Sequence, residues 1–239
     1  MLTETLIYRD GDLELHGYLA TPEGAGRRPG ILVVPEIWGL DQNPRRRAEM
    51  LAELGYVALA VDMYGGGKVV DSLEAGMAEI GEMRADPAKL RARAKAGLDT
   101  LAARAEVDPE RLAAIGYCFG GFVALELARM GAPIAGAVSF HGALETGAPA
   151  QPGTVSAKVL VCHGSGDPLV PPEQVAGFQK EMEAAGADWQ FIAYGGAVHS
   201  FAIPGSDAHG IPGVAYHGPS DRRSWAAMRA FFGEIFGEG

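Results

Sequence analysis

The segment GYCFGG, residues 116–121, lies where a run typical of a buried strand passes directly into a run typical of a buried helix. Gly116 and Gly120 stand two positions before and two positions after Cys118. Glycine at both positions predicts a tight turn in which a side chain would collide with neighbouring backbone. Cys118 is therefore expected to project from the turn, at the N-terminal end of the helix, where the helix dipole favours a thiolate over a thiol.

Buried strands alternate with helices on both sides of this turn. The run GILVVP, residues 30–35, is continuous and rich in β-branched residues, which is typical of a strand buried on both faces of a parallel sheet. Further strands are predicted over Glu4–Tyr8, Leu13–Ala20, Tyr56–Val61, Arg111–Tyr117, Ile134–Phe140, Lys158–Cys162 and Trp189–Tyr194. Helices are predicted over Asn43–Leu54, Pro87–Arg104, Gly120–Met130, Pro172–Ala185 and Asp221–Phe236. Residues 65–86 are predicted to form an irregular excursion over the top of the sheet.

This alternation indicates the fold class. It predicts an α/β fold with a mostly parallel central sheet, helices on both faces and right-handed crossovers. The chain has 239 residues, of which 48% are hydrophobic, and this is enough to fill a large core. Because no linker or repeat interrupts the alternation, residues 1–239 are predicted to form a single domain.

Charge and cysteine content argue against several functional classes. A formal net charge of −10 does not favour binding to nucleic acid or to anionic membrane surfaces. Two cysteines are too few for a disulfide scaffold, and Cys162 ends an apolar run that predicts a buried core thiol. The N-terminus lacks the pattern of a signal peptide, and no apolar run reaches the roughly 18–20 residues that span a bilayer. We therefore expect a cytoplasmic protein.

Two further segments supply the residue types that a cysteine nucleophile needs. Asp167 lies in HGSGDPLVP (163–171) after one predicted strand, and His199 lies in GGAVHSF (195–201) after the last predicted strand. The chain order is nucleophile, acid, histidine, and all three follow strands whose carboxyl ends meet at the edge where α/β sheets bind ligands. We predict Cys118 as nucleophile, His199 as general base and Asp167 as the residue that orients the histidine. The N–H of Phe119 should point at the developing oxyanion.

The nucleophile and the acid also have purely structural interpretations. Cys118 could be a small thiol buried at a glycine-rich junction, since free cysteine is among the most buried residue types. Asp167 could cap the helix that is predicted to start near Pro172. The prediction of catalysis depends on finding all three signals together in the order described.

With these residues in place, the chain resembles the dienelactone hydrolase family (carboxymethylenebutenolidase-like) of the α/β-hydrolase superfamily. The resemblance covers nearly the whole chain. Three more motifs are similar to motifs of that family, namely VPEIWGL (34–40), DMY (62–64) and HSFA (199–202). The resemblance implies that Glu36 contacts the resting thiol and helps to take its proton when substrate enters. It also implies that the N–H of Ile37 is the second oxyanion donor. The alternative interpretation is that Glu36 has no catalytic role and is a loop residue that caps the following helix.

One departure from the family pattern concerns the substrate. Dienelactone hydrolases have an arginine directly after HSFA that binds the substrate carboxylate, whereas this chain has Ile203. Arg84 lies in the region of a second family arginine. An apolar side chain cannot form a bidentate pair with a carboxylate, so a neutral or more apolar ester is a candidate substrate. Candidates for the lining of the substrate pocket are Trp38, Tyr64, His141, Phe201 and Ile203.

We expect a hydrolase that cleaves a carboxylic ester or lactone through an acyl-thioester on Cys118. Two alternatives stay open. One is an esterase or thioesterase for a neutral or apolar acyl substrate, and the other is a non-hydrolytic protein in which Cys118 senses oxidants or binds a ligand. The pattern implies neither metal nor organic cofactor. It also implies a small-molecule partner and a monomer or homodimer.

Overall fold

The computed structural model describes residues 1–24 and 26–237, and its strands form an eight-stranded sheet. The strands are β1 (Leu2–Asp10), β2 (Leu13–Thr21), β3 (Arg28–Val34), β4 (Val57–Ala60), β5 (Val107–Tyr117), β6 (Gly136–Phe140), β7 (Lys158–Gly164) and β8 (Trp189–Tyr194). Their order across the sheet is β1-β2-β4-β3-β5-β6-β7-β8. β2 is antiparallel to β1 and to β4, whereas β3 to β8 all run parallel. The predicted α/β fold with a mostly parallel sheet is confirmed.

Helices cover both faces of the sheet. They are α1 (Gln42–Glu53), α2 (Leu73–Ala85), α3 (Pro87–Ala102), α4 (Phe119–Arg129), α5 (Pro172–Ala185) and α6 (Gly218–Phe236). Alternate residues of β3 point to opposite faces: Leu32 and Val34 pack in the cluster with α2 to α5, and Ile31 and Val33 pack in the cluster with α1 and α6. Burial on both faces is why this strand is apolar at every position.

The region predicted to be irregular contains a helix. α2 begins after Ser72, whose side chain accepts the Ala75 N–H at 3.2 Å, and its buried positions are Gly76, Ile80 and Met83. This spacing is helical, but the glycine hides it from a search for apolar residues. Gly76 is required here because a Cβ atom would lie 2.4 Å from Cγ1 of Ile37. The prediction of an irregular segment over 65–86 is therefore wrong for residues 73–85.

The parallel strands bring the candidate site residues to one edge of the sheet. Glu36 lies two residues after β3, Cys118 follows β5, and Asp167 and His199 lie in the loops after β7 and β8. The predicted single domain over 1–239 includes positions 25, 238 and 239, which lie outside the described residues, and it stays a prediction. Over 1–24 and 26–237, no helix combines the length and the apolar character needed to cross a membrane.

A buried arginine joins α1 to the elements beneath the site. Arg47 Nη2 donates to Asp221 Oδ1 at 2.7 Å and to the carbonyl oxygen of Ala202 at 2.5 Å. Its guanidinium lies about 5 Å from the ring centres of Tyr117 and Trp225. Arg47 therefore connects α1, the end of β5, the loop after His199 and α6.

We predict that Arg47→Met lowers the free energy of unfolding by about 3–5 kcal/mol, because it leaves the Asp221 carboxylate with an uncompensated, largely buried charge. Urea denaturation measures this change. Arg46→Met is the matched control, since Arg46 is the exposed neighbour, and its effect should stay within about 0.5 kcal/mol. Equal effects of the two substitutions would contradict the proposed importance of the buried ion pair.

Candidate active site

The turn that carries Cys118 is as tight as the glycine pattern predicts. A Cβ atom at Gly116 would lie 2.0 Å from the carbonyl oxygen of Gly120, and one at Gly120 would lie 2.1 Å from that of Val34. Cys118 has a φ of +54°, a conformation that residues other than glycine seldom adopt. The close backbone contacts hold Cys118 in this turn at the N-cap position of α4, with its side chain partly exposed to a cavity.

Cys118, His199 and Asp167 form one hydrogen-bonded row. The Cys118 Sγ lies 3.1 Å from His199 Nε2, and His199 Nδ1 lies 2.8 Å from Asp167 Oδ2. The second carboxylate oxygen, Asp167 Oδ1, accepts the Leu169 N–H at 2.8 Å. Asp167 is buried, and the N-cap position of α5 is occupied by Pro171. Asp167 therefore serves the histidine and not the start of α5.

Opposite charges on both sides stabilise a protonated His199. Burial alone would lower the pKa of His199, but the negative charge that Cys118 would carry as a thiolate and the hydrogen bond that His199 donates to Asp167 raise it above its ordinary value. The row can therefore hold a thiolate and an imidazolium as an ion pair. A thiolate is the nucleophilic form of cysteine, so the geometry favours attack by the sulfur.

The irregular segment 204–217 fixes the histidine loop. The His199 N–H donates to the carbonyl oxygen of Gly213 at 3.0 Å, and the Ala215 N–H donates to that of His199 at 3.0 Å. Gly213 packs so closely on the loop of the acid that a Cβ atom would lie 2.3 Å from Cγ of Pro168. The segment therefore holds the histidine loop and the acid loop in one arrangement.

Glu36 lies at the cavity but has a partner other than the sulfur. Its Oε1 accepts a hydrogen bond from Asn43 Nδ2 at 2.7 Å, while the helix start is capped by Asp41, which accepts the Asn43 N–H at 3.0 Å. Burial, with a smaller contribution from the Asp41 charge, raises the pKa of Glu36 to about 8. The implied contact between Glu36 and the thiol is replaced by the contact between the thiol and His199. Sequence reasoning missed Asn43 as the partner of Glu36.

The two predicted oxyanion donors, Phe119 and Ile37, line the same cavity as Cys118. Phe119 is the first residue of α4, so its N–H has no partner within the helix. Ile37 lies in the loop after β3, and both residues are buried and line the same cavity as Cys118. The arrangement gives the two predicted donors and the predicted nucleophile a common cavity.

The cavity at Cys118 has a volume of about 430 Å³ and a mostly apolar lining. α2 contributes Leu73, Met77 and Ile80. The sequence pattern does not indicate these residues, because it predicts an irregular segment over 65–86. Arg84, also on α2, lies at the cavity with its guanidinium 5.1 Å from the ring centre of Phe122. Besides Cys118, the remaining lining residues are Glu36, Ile37, Trp38, Phe119, Phe122, Ala143, Leu169, Val170, His199, Ser200, Ser206, His209, Ile211 and Val214.

Of the five predicted pocket residues, only Trp38 lines this cavity. Its ring stacks on His209 with 4.3 Å between the ring centres, which joins the loop after β3 to the segment 204–217. Phe201 is fully buried beneath the site against Tyr194, and Ile203 is buried in the apolar cluster with α6. These two side chains point into the core because the loop after His199 packs on α1 and α6.

The other two predicted pocket residues, Tyr64 and His141, form hydrogen bonds with the backbone of residues that line the cavity. The Tyr64 hydroxyl donates to the carbonyl oxygen of Ile37 at 2.9 Å. His141 is buried, and its Nδ1 accepts the Cys118 N–H at 3.2 Å. Burial, together with the charge on His199, lowers the pKa of His141 well below its ordinary value, so its ring stays neutral. Tyr64, His141, Phe201 and Ile203 therefore do not line the cavity at Cys118.

No cluster of three or more histidine, cysteine or acidic side chains suited to a metal ion occurs in the part of the chain that the structure describes. The titratable side chains that line the cavity are those of Cys118, His199, His209, Glu36 and Arg84.

The sheet order, the nucleophile turn and the hydrogen-bonded row define an α/β-hydrolase. The sequence profile of the dienelactone hydrolase family matches residues 15–236. This chain belongs to the dienelactone hydrolase family, and it is a hydrolase.

Individual relatives agree with this assignment. A Bradyrhizobium protein named "Probable 2-oxo-3-(5-oxofuran-2-ylidene)propanoate lactonase" is 31% identical over 223 residues, which are 87% of this chain and 90% of that protein. A solved structure called m3DLH is 45% identical with a TM-score of 0.94, and it covers 98% of each chain. The structure of a dienelactone hydrolase-like promiscuous phosphotriesterase from metagenomic libraries is 41% identical with a TM-score of 0.92, again over 98% of each chain.

The raised pKa of Glu36 makes a prediction about stability. An unfolded glutamate titrates near 4.5 and the folded one near 8, so between these values the folded state binds more protons than the unfolded state. The free energy of unfolding of the wild type, relative to Glu36→Gln, should therefore fall as the pH rises from about 5 to about 8. Urea denaturation across this range measures the difference, and a difference that grows with pH would contradict the burial argument. Glu53→Gln, at an exposed position of α1, corrects for the loss of one charge.

Proposed function

We propose that this chain hydrolyses carboxylic esters or lactones through a Cys118–His199–Asp167 triad and an acyl-thioester intermediate. The observation that carries the proposal is the row of two hydrogen bonds, 3.1 Å from sulfur to Nε2 and 2.8 Å from Nδ1 to the carboxylate, at a sulfur partly exposed to a cavity. Membership of the dienelactone hydrolase family supports the same reaction class. The substrate is a small molecule, and the proposed chemistry requires no cofactor.

In the first half of the reaction, the Cys118 thiolate forms a bond to the carbonyl carbon, and the carbonyl electrons move to oxygen. The N–H groups of Ile37 and Phe119 stabilise that oxyanion. The carbonyl then re-forms, the C–O bond to the alcohol breaks, and the His199 imidazolium gives its proton to the leaving oxygen. An acyl-thioester on Cys118 and a neutral His199 result.

In the second half, neutral His199 takes a proton from water, and the hydroxide adds to the thioester carbon. The tetrahedral intermediate then expels the Cys118 thiolate and releases the carboxylic acid. Asp167 holds the imidazole in the required tautomer and stabilises its positive charge throughout. A thiolate leaves a tetrahedral intermediate readily, so good leaving groups such as enols and phenols suit this nucleophile better than amines do.

In this proposal Glu36 does not take the thiol proton, which is the role that the family resemblance implies for it. Its carboxyl group is bound by Asn43, while the sulfur already lies 3.1 Å from His199. The thiol proton therefore passes directly to His199. With its raised pKa, Glu36 is largely protonated near neutral pH and adds little negative charge beside the oxyanion.

The cavity favours a neutral, apolar substrate. Ile203 replaces the family arginine and is buried in the core, so neither a charge nor an apolar contact reaches the substrate from this position. Arg84 is the cationic side chain in the cavity lining outside the triad, and its Nη2 lies 3.2 Å from Glu145. A substrate carboxylate would have to compete with Glu145 or stay unpaired among apolar side chains.

One test of the proposed function concerns the nucleophile. Cys118→Ala should lower 4-nitrophenyl acetate turnover on the order of 10³-fold or more, because acylation needs the sulfur. Iodoacetamide should abolish wild-type turnover with one alkyl group per chain, measured by mass spectrometry. Cys162→Ala is the matched control, since the Cys162 thiol is fully buried and burial raises its pKa to about 12.

Two outcomes would contradict this proposal. Turnover that survives Cys118→Ala would exclude the sulfur as nucleophile. An intact protein that turns over no ester, but forms a stable sulfenic acid at Cys118, would favour the alternative of a redox sensor.

A second test concerns the substrate. The kcat/KM for 4-nitrophenyl hexanoate should exceed that for the mono-4-nitrophenyl ester of adipic acid by about ten-fold or more, because the added carboxylate must enter an apolar cavity. Stopped assays over a concentration series give both constants. If the adipate ester is preferred, and Arg84→Gln removes the preference, Arg84 binds the carboxylate and the neutral-substrate proposal is wrong. A lactone and a phosphotriester complete the panel, since similar proteins are named for those activities.

A further inference from the structure

The peptide groups on both sides of the Ile37 Cα are fixed by hydrogen bonds. The Gly39 N–H donates to the carbonyl oxygen of Glu36 at 3.2 Å, and the Tyr64 hydroxyl donates to that of Ile37 at 2.9 Å. The carbonyl of Glu36 and the N–H of Ile37 belong to one planar peptide unit. The carbonyl of Ile37 belongs to the next unit. Two hydrogen bonds, one on each unit, therefore set the direction in which the Ile37 N–H points.

Tyr64 is itself held by a buried carboxylate. Asp62 Oδ1 accepts the N–H groups of Tyr64 and Gly65 at 2.9 and 2.8 Å, and Asp62 Oδ2 accepts those of Gly67 and His16 at 2.7 and 3.0 Å. The four bonds fix the loop after β4 around a side chain that is 1% exposed. The Tyr64 hydroxyl therefore binds the Ile37 carbonyl from a loop whose backbone is fixed by hydrogen bonds to Asp62.

The loops after β3 and β4 meet at two further points. The Val70 N–H donates to the carbonyl oxygen of Trp38 at 3.0 Å, and a Cβ atom at Gly39 would lie 2.3 Å from the carbonyl oxygen of Lys68. These contacts bring the backbones together on one side of Ile37, but neither involves the carbonyl of Ile37. Among the residues that the structure describes, the Tyr64 hydroxyl is the donor to that carbonyl.

We propose that Tyr64 is a positioning residue for oxyanion stabilisation: its hydroxyl holds the Ile37 peptide so that the Ile37 N–H points at the oxygen of the tetrahedral intermediate. The inference rests on the proposed function, in which that N–H is an oxyanion donor. Tyr64 does not line the cavity, so it acts through Ile37 and not on the substrate. Burial raises the pKa of Tyr64, so the hydroxyl keeps the proton that it donates.

Two reactions of the same sulfur test this proposal. Acylation of Cys118 by 4-nitrophenyl acetate passes through an oxyanion. Alkylation by iodoacetamide forms a C–S bond as the C–I bond breaks and iodide leaves, and no oxyanion develops. Tyr64→Phe should lower kcat for the ester on the order of ten-fold, less than the 10²–10³-fold that removal of a donor costs, because the N–H is misaligned and not lost. KM and the alkylation rate should stay within about two-fold.

Two variants serve as controls. Tyr18→Phe removes a hydroxyl that donates to Glu49 at 2.6 Å, away from the cavity, and should keep the wild-type kcat. Replacement of Tyr64 by 4-aminophenylalanine keeps a donor at the same point of the ring and should retain most of the rate.

Three results would overturn the proposal: a wild-type kcat in Tyr64→Phe, a parallel loss of esterase and alkylation rates, or no rescue by 4-aminophenylalanine. A parallel loss would mean that Tyr64 acts on the sulfur or on folding. Failure of the proposed function is recognised separately, because Cys118→Ala would then leave ester turnover unchanged whatever the residue at position 64.

Discussion

Close packing of backbone against backbone at the Cys118 turn is the constraint on which the rest of the site depends. Side chains at Gly116 and Gly120 would lie about 2 Å from carbonyl oxygens, so the strand, the turn and α4 fit together only with glycine at both positions. This fit forces Cys118 to a positive φ and presents its sulfur to the cavity. The cost of the strained conformation is offset by the packing of β3, β5 and α4 around it.

Hydrogen bonds to the surrounding loops fix the groups around this partly exposed sulfur. Asp167 orients His199, and the segment 204–217 holds both loops through Gly213. Asp62 fixes the loop of Tyr64. His141 accepts the Cys118 N–H from below as a neutral ring. Because these groups are held by partners outside the cavity lining, the proposed reaction would require little reorganisation as charge develops on a substrate.

The site combines a row of groups that can carry charge with two nearby groups that burial keeps largely neutral. Cys118, His199 and Asp167 lie in one row, in which a thiolate, an imidazolium and a carboxylate would alternate in sign and each would stabilise the next. Glu36 and His141 lie nearby with burial shifting both pKa values towards the neutral form. The apolar cavity wall from α2 keeps this row in a medium of low polarity, where its electrostatic interactions are strong.

The sequence alone determined the α/β fold, the order of its elements and the three residues of the row, because glycine spacing, β-branched runs and strand-end positions are local signals. It did not reveal α2, whose apolar face includes a glycine that fits against Ile37. It also did not reveal that Asn43 binds Glu36, or that Phe201 and Ile203 turn into the core. Only the tertiary structure decided these points, because the direction of a loop side chain depends on distant segments packing against it, and no local pattern encodes that contact.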